Sequence, residues 1–133
     1  MNTPNIRVRK DILHPDLSYA VMGVLFEVNK ELGYGHKERY YENAVALGLN
    51  KKGLKYDRQL HVPLQFKGEQ IGYYFLDFLI EGILVLELKQ GNSFSKKNID
   101  QVLAYLKANS LELGILAQFT ADGVKYKRIV NIR

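Results

Sequence analysis

The sequence predicts an α/β fold in which helices flank a mixed central sheet. Three observations carry this. Two stretches of helical period lie within residues 15–53. Three consecutive strand-like stretches follow between 55 and 89, joined by glycine turns. Helical period then returns over 96–109 before two further strands. At 133 residues the chain is one domain, long enough to bury a core without staples.

Residues 1–14 are polar and basic, with Arg7, Arg9 and Lys10, and are expected to form a flexible lead-in to a single domain over 15–133. His14-Pro15-Asp16 marks a helix start with Asp16 as N-cap. Leu17, Ala20, Val21, Val24, Val28 and Leu32 then recur at helical spacing to Gly33, a C-cap by composition. Gly33-Tyr34-Gly35 breaks that helix. A second, about 36–52, carries Tyr41, Ala44, Val45 and Gly48 on one stripe and closes at Gly53.

The first strand, about 55–67, alternates imperfectly and contains Pro63, which predicts an edge position or a bulge. The second, about 70–80, is aromatic and apolar, and the third, 83–89, is rich in β-branched residues and leucine. Lys67-Gly68 and Glu81-Gly82 mark the turns of a meander. Ile99, Val102, Leu103 and Leu106 define an amphipathic helix over 96–109. Residues 113–119 and 125–132 are the last strands, on either side of an Ala121-Asp122-Gly123 turn. The order is α-α-β-β-β-α-β with a final β.

The composition, 47% hydrophobic and 25% charged, is that of a soluble globular protein. With no cysteine there are no disulfides, thiolate zinc sites or cysteine nucleophile. No signal-peptide core and no stretch near ~20 apolar residues is visible, so a soluble, cytoplasmic protein without a membrane partner is expected. A net charge of +5 and a pI of about 9.3 favour an anionic partner such as nucleic acid.

The chemistry concentrates in Asp77 to Lys89, two strands around a tight turn. With a three-residue loop (Glu81, Gly82, Ile83), Asp77 lies directly across from Glu87 on one sheet face; a two-residue loop puts them on opposite faces. The sequence leaves both registers open. Glu87 and Lys89 share a face in either case. Two carboxylates on adjacent strands are hard oxygen ligands for Mg²⁺ or Mn²⁺, and the backbone carbonyl of Leu88 can join them. A lysine beside the ion can orient the attacking water and stabilise charge on a phosphate. The alternative is a salt-bridged pair at a strand end.

Glu38 continues the apolar stripe of the second helix, but it also falls in the first helical turn, where the macrodipole favours a solvated carboxylate; periodicity alone favours the latter. Gln101 and Tyr105 project together from helix 96–109 and can touch a nucleic-acid strand or simply sit at the edge of the core. Lys96 and Lys97 open that helix just after the proposed site, within reach of a phosphate. His14, His36 and His61 have no ligand spacing, and no phosphate loop or nucleophile elbow is present.

These residues resemble a known set. Gly35-His36-Lys37-Glu38-Arg39-Tyr40-Tyr41 is similar to the signature of the GxxExxY protein family, and the likeness continues through Glu42-Asn43-Ala44, Arg58-Gln59, Asp77, Glu87-Leu88-Lys89 and Gln101-x-x-x-Tyr105-Leu106. That family is similar to the PD-(D/E)XK nuclease superfamily, which implies a restriction-endonuclease-like core (α-β-β-β-α-β) with an extra N-terminal helix. The resemblance implies Asp77 as the motif's aspartate, Glu87 as its second acid and Lys89 as its lysine. It also implies Glu38 as the acid on the preceding helix, against the periodicity reading, and Gln101 as a glutamine near the site. Leu76 stands where the superfamily name has proline, Asn98 where related members have histidine, and Gln90-Gly91 where a small apolar pair is usual.

The expectation is therefore metal-assisted phosphodiester hydrolysis in nucleic acid, DNA ahead of RNA. Asp77, Glu87, the Leu88 carbonyl and Glu38 would serve the metal, Lys89 the water, and Gln101, Tyr105, Lys96 and Lys97 the strand. The competing expectations are a catalytically silent nucleic-acid- or protein-binding module and a homodimer formed through Tyr73 to Phe78.

Overall fold

The computed structural model describes residues 13–90 and 94–132; most of the expected lead-in (1–12) and Gly91 lie outside them. The elements are α1 (Pro15–Leu32), α2 (Glu38–Lys51), β1 (Tyr56–Phe66), β2 (Glu69–Ile80), β3 (Leu84–Lys89), α3 (Lys96–Ala108), β4 (Leu113–Thr120) and β5 (Gly123–Val130). The order and type of every element agree with the reading of the sequence.

Several boundaries differ for local reasons. Pro15 occupies the first helical position, where its fixed φ suits the helix and its missing N–H is not needed. Asp16 is thus in the first turn and not the N-cap; that place belongs to His14, whose side chain caps nothing. Asp16 contributes through the helix dipole. Leu13, which the sequence assigns to the lead-in, packs on the core, and its carbonyl accepts from Ser18 and Arg128. Helix α2 starts at Glu38 and not at 36, because Gly35 is left-handed and Lys37 is extended.

The five strands lie in sequence order, β1-β2-β3-β4-β5. All neighbours are antiparallel except β3 and β4, which run parallel and are joined by the α3 crossover. Strand β1 is an edge strand in which Pro63 is tolerated, and its register shifts between Leu64 and Gln65. Lys67 and Gly68, both left-handed, close the β1–β2 hairpin.

Two apolar layers sandwich the sheet. Helices α1 and α2 cover Phe78, Ile80, Leu84, Leu86, Leu88, Ile115 and Phe119. Helix α3 covers the other face through Val102 and Leu106, against Val85, Leu116 and Ile129. Leu60, Val62 and Leu76 join this second layer, although their even-numbered neighbour Phe78 belongs to the first. The long β1–β2 ribbon therefore turns over near Gln59, which adopts a left-handed conformation in mid-strand.

Glycine lets α3 approach closely: a Cβ on Gly114 would lie 2.6 Å from Val102 Cγ1. Val102 has one stiff branch point and little freedom to yield. Gly114→Ala is expected to lower stability by about 1–3 kcal/mol through overpacking, read as a fall in Tm on thermal melting.

Candidate functional site

The β2–β3 turn decides the register. Glu81 and Gly82 are both left-handed, the Ile83 N–H donates to the Ile80 carbonyl, and Ile83 is the extra residue. The loop is therefore three residues long, Ile80 pairs with Leu84, and Asp77 comes opposite Glu87.

There the ladder ends. Paired positions run only to Phe78↔Leu86; beyond them β2 continues on β1, and β3 continues on β4. The backbone bonds lost at this fork are replaced by the two acids. Glu87 Oε1 accepts from the Asp77 N–H at 2.9 Å, and Asp77 Oδ2 accepts from the Leu88 N–H at 2.7 Å. Since the N–H and C=O of one strand residue point to the same side, the Leu88 carbonyl is turned into the same gap. Lys89 Nζ stands 3.1 Å from Glu87 Oε2.

Two carboxylates side by side and shielded from water repel each other. Burial, then the Glu87 charge, push the Asp77 carboxyl up to about 8, with Glu42 adding to the effect and the Leu88 N–H opposing it. Burial raises Glu87 as well, against the pull of Lys89. Burial works to lower the Lys89 ammonium, but Glu87, Glu38 and Asp77 outweigh it, so its proton is held more tightly than usual. The Tyr74 hydroxyl is raised by burial and then by Glu87, and it donates to the Gln101 carbonyl.

Helix α2 forms the other wall. Glu38 Oε2 accepts the Gln90 N–H at 3.1 Å, so the first turn of α2 is tied to the end of β3. The periodicity reading of Glu38 as merely solvated misses this partner. Gln90 also donates its side-chain amide to the His36 carbonyl. The Tyr41 hydroxyl donates to the Gly33 carbonyl, and its ring stacks on Phe119 at 4.3 Å. In this way the Gly35-x-x-Glu38-x-x-Tyr41 spacing acquires a physical meaning: the glycine turns, the glutamate docks and the tyrosine pins the loop. Together with Leu88, Lys89 and Gln90 these residues line a cavity of about 290 Å³.

A network that sequence reasoning did not single out supports the fork. Arg58 donates two bonds to Glu42 Oε2 (3.1 and 2.7 Å) and one to Asn43, and the Gln59 amide reaches the same Glu42 oxygen at 3.0 Å. The only sequence-level signal was the occurrence of these residues in the motif resemblance.

The structure thus brings Asp77, Glu87, Leu88, Lys89 and Glu38 together. Gln101 meets the site only through its backbone carbonyl, which accepts from the Tyr74 hydroxyl that feels the Glu87 charge. Tyr105 lies toward the turn, where burial and then the Asp57 charge raise its hydroxyl; Asp57 pairs with Leu79. Lys96 is exposed and paired with Asp100 at 2.7 Å, and Lys97 is exposed. Among the described residues no three acids or histidines converge as a preformed metal cage. Two carboxylates with a carbonyl suit Mg²⁺, which keeps several waters and rarely takes an all-protein cage. Burial is the main reason both carboxyls hold their protons more tightly than usual, with the Glu87 charge adding to it at Asp77.

The family model of the PD-(D/E)XK nuclease superfamily matches residues 15–129, so the chain belongs to that superfamily. Its nucleases generally use divalent metals and act on nucleic acid. No curated protein matches. One solved structure, titled "Crystal structure of SSO0001", is similar at 15% identity, covering 88% of this chain and 78% of that one, with a TM-score of 0.44. Among the described residues no helix is long and apolar enough to cross a membrane.

Proposed function

We propose that this protein is a Mg²⁺- or Mn²⁺-dependent nuclease of the GxxExxY type that hydrolyses phosphodiester bonds, with DNA ahead of RNA as substrate. One observation carries the reading: where β2 and β3 part, the Asp77 and Glu87 side chains take the place of ladder bonds, which sets two carboxylates together beside Lys89.

Asp77, Glu87 and the Leu88 carbonyl would hold the ion, and Glu38 would reach it through water. When bound, the metal supplies Lewis-acid polarisation of the phosphate and a more acidic water. The chain's own residues do the rest. Glu87 holds the Lys89 ammonium at the cavity wall, where it can bind a phosphate oxygen and orient the attacking water. Because its proton is held tightly, Lys89 acts as a fixed cation. Gln101, Tyr105, Lys96 and Lys97 are assigned to holding the strand.

The test is cleavage of labelled single- and double-stranded DNA and RNA with Mg²⁺, Mn²⁺ or EDTA, running Asp77→Ala and Glu87→Ala beside the wild type. Cutting that needs the metal and is lost in both variants is the expected result. Metal-independent cutting, or full activity in either variant, overturns the assignment. Binding without any cutting would favour the silent module.

A further inference from the structure

We propose that Gln90 is a positioning residue for the metal site: its side-chain amide clamps the loop before α2 against the end of β3, and so fixes Glu38 where it can meet the water shell of the ion. The inference rests on the nuclease reading of the Asp77 site and deepens it.

The need for a clamp lies in how α2 begins. Glu38 is the first residue of the helix, and the N-cap, Lys37, is extended and makes no side-chain capping bond. A first turn without a cap leaves backbone donors unsatisfied and frays readily. A glutamate on a fraying turn samples many positions, and ordering it around an ion costs entropy that a preformed site avoids. Several bonds shape the loop without tying it to the sheet. His36 Nε2 donates to the Leu32 carbonyl at 2.8 Å, and the Tyr41 hydroxyl donates to the Gly33 carbonyl and accepts the His36 N–H at 3.3 Å. All of these lie within α1, α2 and the loop between them. The Tyr41 ring does reach the sheet, but it stacks on Phe119 of β4, further along the helix than Glu38.

Gln90 supplies the missing tie, on both sides of the uncapped position. Its N–H donates to Glu38 Oε2 at 3.1 Å, and its side-chain amide donates to the His36 carbonyl at 2.6 Å. A carbonyl only accepts, so the NH₂ end of the amide faces it. The first bond is open to any residue with a backbone N–H. The second needs a donor at the end of a side chain of this length, which makes the identity of residue 90 matter. Gln90 directly follows Lys89, so Glu38 is referenced to the same strand that carries Glu87 and Lys89. Glu38, Lys89 and Gln90 line one cavity. With Oε2 held by the N–H, Oε1 of Glu38 remains for the water shell of the ion. Partners of this kind, which orient a ligand without touching the metal, commonly set the affinity of a site.

The experiment measures Mn²⁺ binding from the free-ion signal in electron paramagnetic resonance, on wild type, Gln90→Met, Glu38→Gln and the double variant Gln90→Met/Glu38→Gln. Methionine keeps an unbranched side chain of similar length and removes the donor. Gln90 is exposed, so the variant should fold, and Gln90→Ala should behave in the same way. Metal-free Tm and the Mg²⁺ dependence of cleavage are recorded on the same proteins. Each single variant should weaken Mn²⁺ binding about tenfold, and the Mg²⁺ concentration for half-maximal cleavage should rise in step. The double variant should bind like Glu38→Gln to within about twofold, because Gln90 acts through Glu38; independent roles would multiply to roughly 100-fold. Wild-type Mn²⁺ binding by Gln90→Met, even with a lowered Tm, shows a merely structural bond and overturns the positioning role. Wild-type binding by Glu38→Gln, or the multiplied loss in the double variant, overturns it as well. If the wild type still cuts with metal in those cases, the clamp alone is lost. A wild type that neither binds Mn²⁺ nor cuts overturns the nuclease reading together with it.

Discussion

Lys89→Ala should abolish most cleavage while leaving metal binding in place, a fall of about 10²–10³ in kcat with a Mg²⁺-dependent rise in Tm still present. The separation follows from what each group touches. Lys89 contacts Glu87 through one oxygen, Oε2, at 3.1 Å, while Glu87 Oε1 is held by the Asp77 N–H. Removing the ammonium therefore strips the cavity wall of its cation without dismantling the carboxylate pair. It does leave Glu87 buried without its counter-charge, so the metal-free variant should also melt lower than wild type. Lys89→Arg keeps the charge but spreads it over a planar fork, and should recover stability more fully than activity. Cleavage at the wild-type rate in Lys89→Ala, or loss of the metal-dependent Tm rise, would contradict this division of roles.

Asp77→Asn should do two opposite things: eliminate metal-dependent cleavage and stabilise the metal-free fold at alkaline pH. The sign follows from the raised carboxyl. In the native protein Asp77 keeps its proton up to about 8, whereas the unfolded chain releases it near 3.8. Between those values the folded state binds more protons, so the stability contributed by this site declines as pH rises from about 4 to about 8. Asparagine can still accept the Leu88 N–H but carries no charge beside Glu87. Its metal-free stability should exceed wild type by several kcal/mol at pH 8 and converge with it near pH 4. Denaturant titrations at several pH values, without metal, check both limbs. A wild-type curve parallel to that of the variant across this range would show that Asp77 is not protonated in the fold.

Much of the fold was legible because its signals are local. Period changes, glycine turns and the lone proline in β1 are read within windows of a few residues, and each element follows from them. The site was legible only where it is carried by strand alternation, as for Glu87 and Lys89. Whether Asp77 joins them depended on one extra residue, Ile83, in a turn whose composition is compatible with two loop lengths. Glu38 was beyond local reading because its partner, the Gln90 N–H, is 52 residues away. The Glu42–Arg58–Gln59 network spans 16 and 17 residues and leaves no periodic trace. Composition alone reads Asp16 as a cap, because acidic residues suit both the cap and the first turn; Pro15 at the first helical position decides between them.

The parallel pairing of β3 with β4 has a consequence for how the molecule assembles itself. Asp77 and Glu87 are ten residues apart in one hairpin, so they meet by closing a short loop. Leu84 meets Leu113 only after the whole α3 crossover has been laid down, a far longer closure with a larger entropic barrier. The meander can therefore form ahead of the sheet's second half, with both acids already opposed yet still hydrated. Until the rest of the domain packs around them, these are two ordinary carboxylates, because burial is the main cause of their raised proton affinity. The raised proton affinity of this centre comes with burial and would be absent from any intermediate that leaves the hairpin hydrated.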